Sequence, residues 1–223
     1  MARAVLIYAH PYPDRSRANA VLYDAVKTLD GVDPRPLYDM YPDFAIDTEV
    51  EQVALLRADV IVWQHPIYWY TVPSLLKHWW EKVLTYGWAY GTGGRALVGK
   101  RVLWVPTTGG DLSSYGPDGM HALPFSEYEP VVRQTARFCG MTWVDPLIVH
   151  GAHRLTDPEL YAIAGRYRER LKELLATPSS VVAEALPVVP ALGPPTPNAN
   201  LDIPIPDPEL MLAPTAAPPG DRD

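Results

Sequence analysis

Only one cysteine, Cys139, occurs in the 223 residues, so neither a disulfide framework nor a Cys-rich metal site can form. A lone thiol fits a reducing cytoplasm, and it is expected to serve as small core filler. Cations are also scarce: 19 Lys and Arg against 26 Asp and Glu leave a net charge of -7. That balance argues against a nucleic-acid binder, which needs an excess of Lys and Arg to replace the counterions around phosphates. Long apolar runs are missing as well. No stretch reaches the roughly 20 residues of a membrane span, and no basic region followed by an apolar run marks a signal peptide. The chain is therefore expected to be soluble, or at most peripheral on a membrane.

What is present is alternation. Apolar runs at 4–9, 60–64, 101–106 and about 141–149 read as strands, with a weaker one at 35–38. Between them lie helical patterns at 18–29, 48–58, 74–84, about 128–138 and 157–175. Thr48 with Glu51, and Thr156 with Glu159, have capping-box spacing, while Pro73, Pro130 and Pro158 suit helix starts. Leu160, Ile163, Ala164, Tyr167, Leu171 and Leu174 form one stripe on the last helix. Continuous apolar strands alternating with one-faced helices predict an α/β fold, a doubly wound five-stranded parallel sheet with helices on both faces. From residue 178 the composition shifts, with 12 of the 25 prolines in the final 46 residues. The expected organisation is one domain over 1–177 and a Pro-rich, disordered or polyproline-like tail over 178–223.

Three loops that follow strands carry polar or aromatic residues suited to a ligand. The first runs from His10 to Ser16, Arg17, Ala18 and Asn19, where unpaired helix N–H groups and polar side chains can surround a phosphate; Ser16 is equally a plain helix cap. The second holds Ile67, Tyr68, Trp69 and Tyr70, whose aromatics offer flat walls to a planar ring or a cover for the next helix. The third is Thr107-Thr108-Gly109-Gly110, where backbone N–H groups can approach a ring closely. In sheet order 2-1-3-4-5 these loops follow neighbouring strands at the switch point and share one crevice. Tyr115 and His121 lie just beyond, a phenol and an imidazole able to hold or move a proton. His150 and His153 flank a Gly-Ala pair without the spacing that completes a metal site, so no metal is assigned.

With these residues in hand, the chain resembles the NAD(P)H:quinone oxidoreductase family of flavodoxin-like flavoproteins. Within it, the chain is most similar to the ancillary proteins of glutathione-regulated potassium efflux systems. The likeness rests on the opening motif through Asn19, Tyr41-Pro42-Asp43-Phe44, Trp63-Gln64-His65-Pro66, Trp69-Tyr70, Gly87-Trp88-Ala89-Tyr90-Gly91 and Thr107-Thr108-Gly109-Gly110. It covers about residues 3–176. The resemblance implies a flavin, FMN in preference to FAD, with its phosphate against His10 and Ser16, Arg17, Ala18 and Asn19. Its ring would contact Ile67 to Tyr70 and Thr107 to Gly110. The family likeness further implies catalytic roles for Tyr115 and His121, NADH or NADPH as donor, a quinone or other electrophile as acceptor, ping-pong hydride transfer and a homodimer. A cytoplasmic regulatory subunit docked on a potassium/proton antiporter at the inner face of the membrane is the competing expectation, and a flavodoxin-type electron carrier a third.

Overall fold

The computed structural model describes residues 2–177, and the expected Pro-rich tail lies outside the described residues. β1 (Ala4–Tyr8), β2 (Val32–Pro36), β3 (Val60–Pro66), β4 (Arg101–Thr107) and β5 (Thr142–Trp143) form one sheet in the order β2-β1-β3-β4-β5. Every pairing is parallel. Helix α1 (Arg17–Val26) and helix α6 (Asp157–Ala176) pack on one face through Leu22, Val26, Tyr167 and Leu171, all fully buried. On the other face lie α2 (Leu37–Met40), α3 (Thr48–Arg57), α4 (Ser74–Val83) and α5 (Glu129–Phe138), around Ile7, Trp63, Trp79 and Trp104. Burying one such aliphatic side chain contributes about 1.5–3 kcal/mol, so the two faces together fix the sheet. Cys139 is buried in the second cluster, as core filler.

Three local expectations need correction. The strand expected at 35–38 is β2, which ends at Pro36, with Leu37 and Tyr38 opening α2. β2 is an edge strand, the one place where a strand accepts Pro34 and Pro36 without losing ladder bonds. The strand expected at 141–149 keeps its ladder only at Thr142 and Trp143. Beyond Asp145 and Pro146 the chain rejoins β4 through single bonds from Leu147 and Val149 N–H to the Trp104 and Pro106 carbonyls. Finally, Thr48 and Glu51 form no capping box. Asp47 caps α3 by accepting the Val50 N–H at 3.1 Å, and Glu51 turns inward, fully buried.

That inward carboxylate is a hub. Glu51 accepts from Arg35 at 2.5 and 2.9 Å, from the Tyr41 hydroxyl at 2.6 Å and from Trp79 Nε1 at 2.8 Å. It thereby ties β2, the end of α2, α3 and α4 together. Burial and the neighbouring Glu51 push the Tyr41 phenol up to about 12. By contrast, the Thr156 box forms as expected, with the Glu159 carboxylate accepting from the Thr156 N–H at 2.8 Å and its hydroxyl at 2.7 Å.

Candidate functional site

β1, β3 and β4 end side by side, so the loops that follow them emerge at one sheet edge. Hydrogen bonds lace the three together. Asn19 Nδ2 donates to Thr107 Oγ1 at 2.6 Å, Gln64 Nε2 to the Asn19 carbonyl at 2.9 Å, and the Ile67 N–H to the Thr107 carbonyl at 2.8 Å. Behind them the Tyr167 hydroxyl of α6 donates to Gln64 Oε1 at 3.3 Å.

In the first loop His10 Nδ1 accepts the Tyr12 N–H at 3.0 Å, which leaves Nε2 as the donor. Burial holds the imidazole below its ordinary range, in the neutral form. Ser16 occupies the N-cap of α1, yet its hydroxyl makes no capping bond to the helix. The Arg17 guanidinium is engaged elsewhere, with Asp157 Oδ1 at 2.5 Å and the Leu155 carbonyl at 2.7 Å, so only the backbone of Arg17 serves the loop in this arrangement. Asn19 is 2% exposed, and its Oδ1 has no partner among the described residues. If the carboxamide is turned over, Oδ1 meets the Thr107 hydroxyl and Nδ2 is left over instead. In either orientation one polar end is buried without a partner among the described residues, at a cost of about 1–3 kcal/mol that a ligand would relieve.

The second loop is a tight reversal in which Tyr68 and Thr71 exchange backbone hydrogen bonds at 3.0 Å. Trp69 and Tyr70 both adopt left-handed backbone, φ 47° and 63°, a conformation that bulky residues seldom hold. The turn leaves Trp69 89% exposed, its indole available to a planar partner. Tyr70 leans back over the third loop, edge-on to His121 at 5.6 Å and stacked on Tyr128 at 5.3 Å.

Among the described residues no acceptor takes the N–H groups of Gly109 and Gly110 in the third loop. Tyr115 stacks on His121 at 4.5 Å. The turn that achieves this depends on Gly119, where a Cβ would lie 2.5 Å from the Ser114 carbonyl oxygen. Burial raises the Tyr115 pKa. Two concave regions of about 450 and 220 Å³ share no residue with the three loops and are lined largely by exposed charged side chains and backbone of the sheet's far end.

Four neighbours of the loops stand outside the expected site residues: Gln64 and Tyr167, described above, His65, and His150. His65 is fully buried at the end of β3, its Nε2 accepting from Trp104 Nε1 at 2.8 Å and its Nδ1 2.9 Å from the Pro66 carbonyl. His150 sits beside the third loop, its Nδ1 3.0 Å from Thr108 Oγ1. Gln64 and His65 are the polar end of an otherwise apolar strand, a signal the sequence does contain. No group of His, Cys, Asp and Glu among the described residues could hold a metal.

Such an edge, with a phosphate-type loop, an aromatic turn and a Gly-Gly turn converging, defines a flavodoxin-like protein. A family model described as "Flavodoxin-like fold" matches residues 2–171. The glutathione-regulated potassium-efflux system ancillary protein KefF of Klebsiella aerogenes is 48% identical over 167 residues, covering 75% of this chain and 93% of that one. Among solved structures, one described as a thermophilic tryptophan halogenase from Streptomycin violaceusniger is 38% identical, with TM-score 0.71 over 75% of this chain and 97% of that one. General stress protein 14 of Treponema denticola, in complex with FMN, is 32% identical, with TM-score 0.70 over 78% and 98%. An NADPH-quinone reductase from P. pentosaceus is 27% identical, with TM-score 0.68 over 75% and 96%. The chain belongs to the flavodoxin-like NAD(P)H:quinone oxidoreductase family, on the branch of the potassium-efflux ancillary proteins. Among the described residues no helix is long and apolar enough to cross a membrane.

Proposed function

We propose that the three loops bind FMN and that the chain is an NAD(P)H:quinone oxidoreductase working by two-electron, ping-pong hydride transfer. The observation that carries this reading is Asn19, a buried carboxamide with one end unsatisfied at the point where the first and third loops meet. Its neighbours fit the same ligand. His10 Nε2, the uncapped start of α1 and the Ser16 hydroxyl offer donors to a phosphate, and the Gly109 and Gly110 N–H groups offer donors to the polar edge of a ring. Ile67, Tyr68, Trp69 and Tyr70 supply the apolar wall. Bound there, FMN would supply the redox chemistry, taking hydride from NADH or NADPH and passing it to a quinone or similar electrophile at the same seat. Tyr115 and His121 hold the proton that balances the charge which hydride brings. FMN is preferred to FAD because a neighbour at 32% identity carries FMN. The exposed Trp69, Met120 and Leu112 beside the three loops support a homodimer that covers them.

The purified protein should take up FMN, and NADPH or NADH added under nitrogen should bleach it. A colourless protein that cannot be reconstituted overturns both cofactor and activity. Asn19→Ala should weaken FMN binding about 10-fold, the value of one buried hydrogen bond, in a flavin fluorescence titration. Tyr115→Phe should leave that affinity within about 3-fold yet slow flavin reduction by about 100-fold in stopped flow, at the low end of general acid–base contributions. An unchanged rate would remove Tyr115 from the mechanism.

A second reading has its own support in the 48% identity to a potassium-efflux ancillary protein. On it, the chain is a cytoplasmic regulatory subunit docked on a potassium/proton antiporter at the inner face of the membrane. Co-purification with an antiporter whose transport rises on addition of the chain would establish that role. The stacked Tyr115 and His121 favour both readings over a one-electron carrier, which has no use for a proton donor beside the ring.

A further inference from the structure

Two glycines in succession have no side chains to hold their conformation, so the N–H groups of Gly109 and Gly110 depend on outside restraint. Thr108 supplies it by donating its hydroxyl to the Gly110 carbonyl at 2.7 Å, a carbonyl that also accepts the Gly151 N–H at 2.8 Å. A hydroxyl has one hydrogen, and here it is spent. The contact of 3.0 Å between Thr108 Oγ1 and His150 Nδ1 must therefore be a bond that the imidazole donates. The neutral ring then carries its hydrogen on Nδ1. His150 is further fixed by Phe125, edge-on at 5.0 Å, and its ring lies 5.4 Å from that of Tyr115. His150 thus lies between the Thr108 hydroxyl and the Tyr115 ring.

We propose that His150 is a positioning residue of the reaction centre: donating Nδ1–H to Thr108 Oγ1, it keeps that hydroxyl on the Gly110 carbonyl and so holds the Gly-Gly turn and the Tyr115 phenol in the geometry hydride transfer requires. The inference rests on the reductase reading above. It needs no proton transfer through His150 itself. Without the imidazole donor the Thr108 hydroxyl loses the bond that fixes its orientation, and its hold on the Gly110 carbonyl loosens.

The test compares His150→Asn, whose side-chain amide keeps a donor near Nδ1, with His150→Phe, which keeps the ring's bulk against Phe125 and removes the donor. His150→Phe should slow NADPH-driven flavin reduction about 10-fold with the NADPH KM within about 2-fold, and His150→Asn should stay within about 3-fold of wild type. In a Thr108→Val background the Phe change should add less than about 2-fold, since the hydroxyl it acts through is gone. A space-filling role would give the reverse order, with Phe active and Asn impaired, and would overturn the proposal. Nitrogen-15 NMR of the flavin-free wild type gives a readout independent of turnover and of variant folding: hydrogen on Nδ1 supports the arrangement, and hydrogen on Nε2 defeats it. A wild type that takes up no FMN sinks the reductase reading, and with it the catalytic part of this proposal; the tautomer still decides the hydrogen bond.

Discussion

Glu51→Ala is expected to cost about 3–5 kcal/mol of folding stability, read as a lower urea midpoint at unchanged m-value. The carboxylate is fully buried and accepts from Arg35, Tyr41 and Trp79, so removing it strands a guanidinium, a phenol and an indole N–H at once. The Arg35 side chain is only 11% exposed and keeps Asp33 at 3.8 Å as its remaining acid, too distant for a hydrogen bond. Most of the loss is thus the penalty for an unpaired buried cation rather than the worth of the pair. A double-substitution cycle isolates it: Arg35→Met should be far less costly in the Glu51→Ala background than in wild type. Equal costs in both backgrounds would show that the two side chains act independently. The consequence reaches the site, because Trp79 belongs to α4, the helix that follows the aromatic turn directly.

Acidification should remove a further stabilising contribution through His65. Burial lowers its pKa to about 4 in the folded chain, and the Trp104 N–H donated to Nε2 opposes protonation there as well. Above pH 6.5, the ordinary value, both folded and unfolded chains hold the ring neutral and pH has no leverage. Between 6.5 and about 4 the unfolded chain takes up a proton that the folded chain refuses, so stability falls as pH falls. Over that window of about 2.5 pH units the loss approaches 3 kcal/mol. His65→Phe sacrifices the bond to Trp104 at every pH but should flatten this dependence, so urea midpoints of the two proteins converge between pH 7.5 and 4.5. Parallel pH profiles would assign the acid sensitivity to other groups.

Much of this architecture is legible in the chain because the central strands are buried on both faces and read as unbroken apolar runs. β1, β3 and β4 fall within two residues of where the runs end, which also locates the loops that follow them. Legibility fails where tertiary contacts outrank local pattern. Glu51 sits where a capping acid would, but a buried arginine across the fold claims it. β5 is cut short by Pro146, and His150 reaches Thr108 only because Val149 pairs with Thr107 past that break, a register no local motif encodes. The left-handed pair at Trp69 and Tyr70 is invisible for a different reason: turns of that kind ordinarily announce themselves with Gly or Asn, and this one carries two aromatics.

α6 reaches across to the opening loop twice, by Asp157 on Arg17 and by Tyr167 on Gln64, which in turn holds the Asn19 carbonyl. That helix is made after all five strands. During synthesis the earliest loop therefore keeps only its bonds to Gln64 and Thr107 until nearly the whole domain has left the ribosome. The loop edge matures last although its first residues are translated first, because part of one face of the sheet stays uncovered until α6 is made.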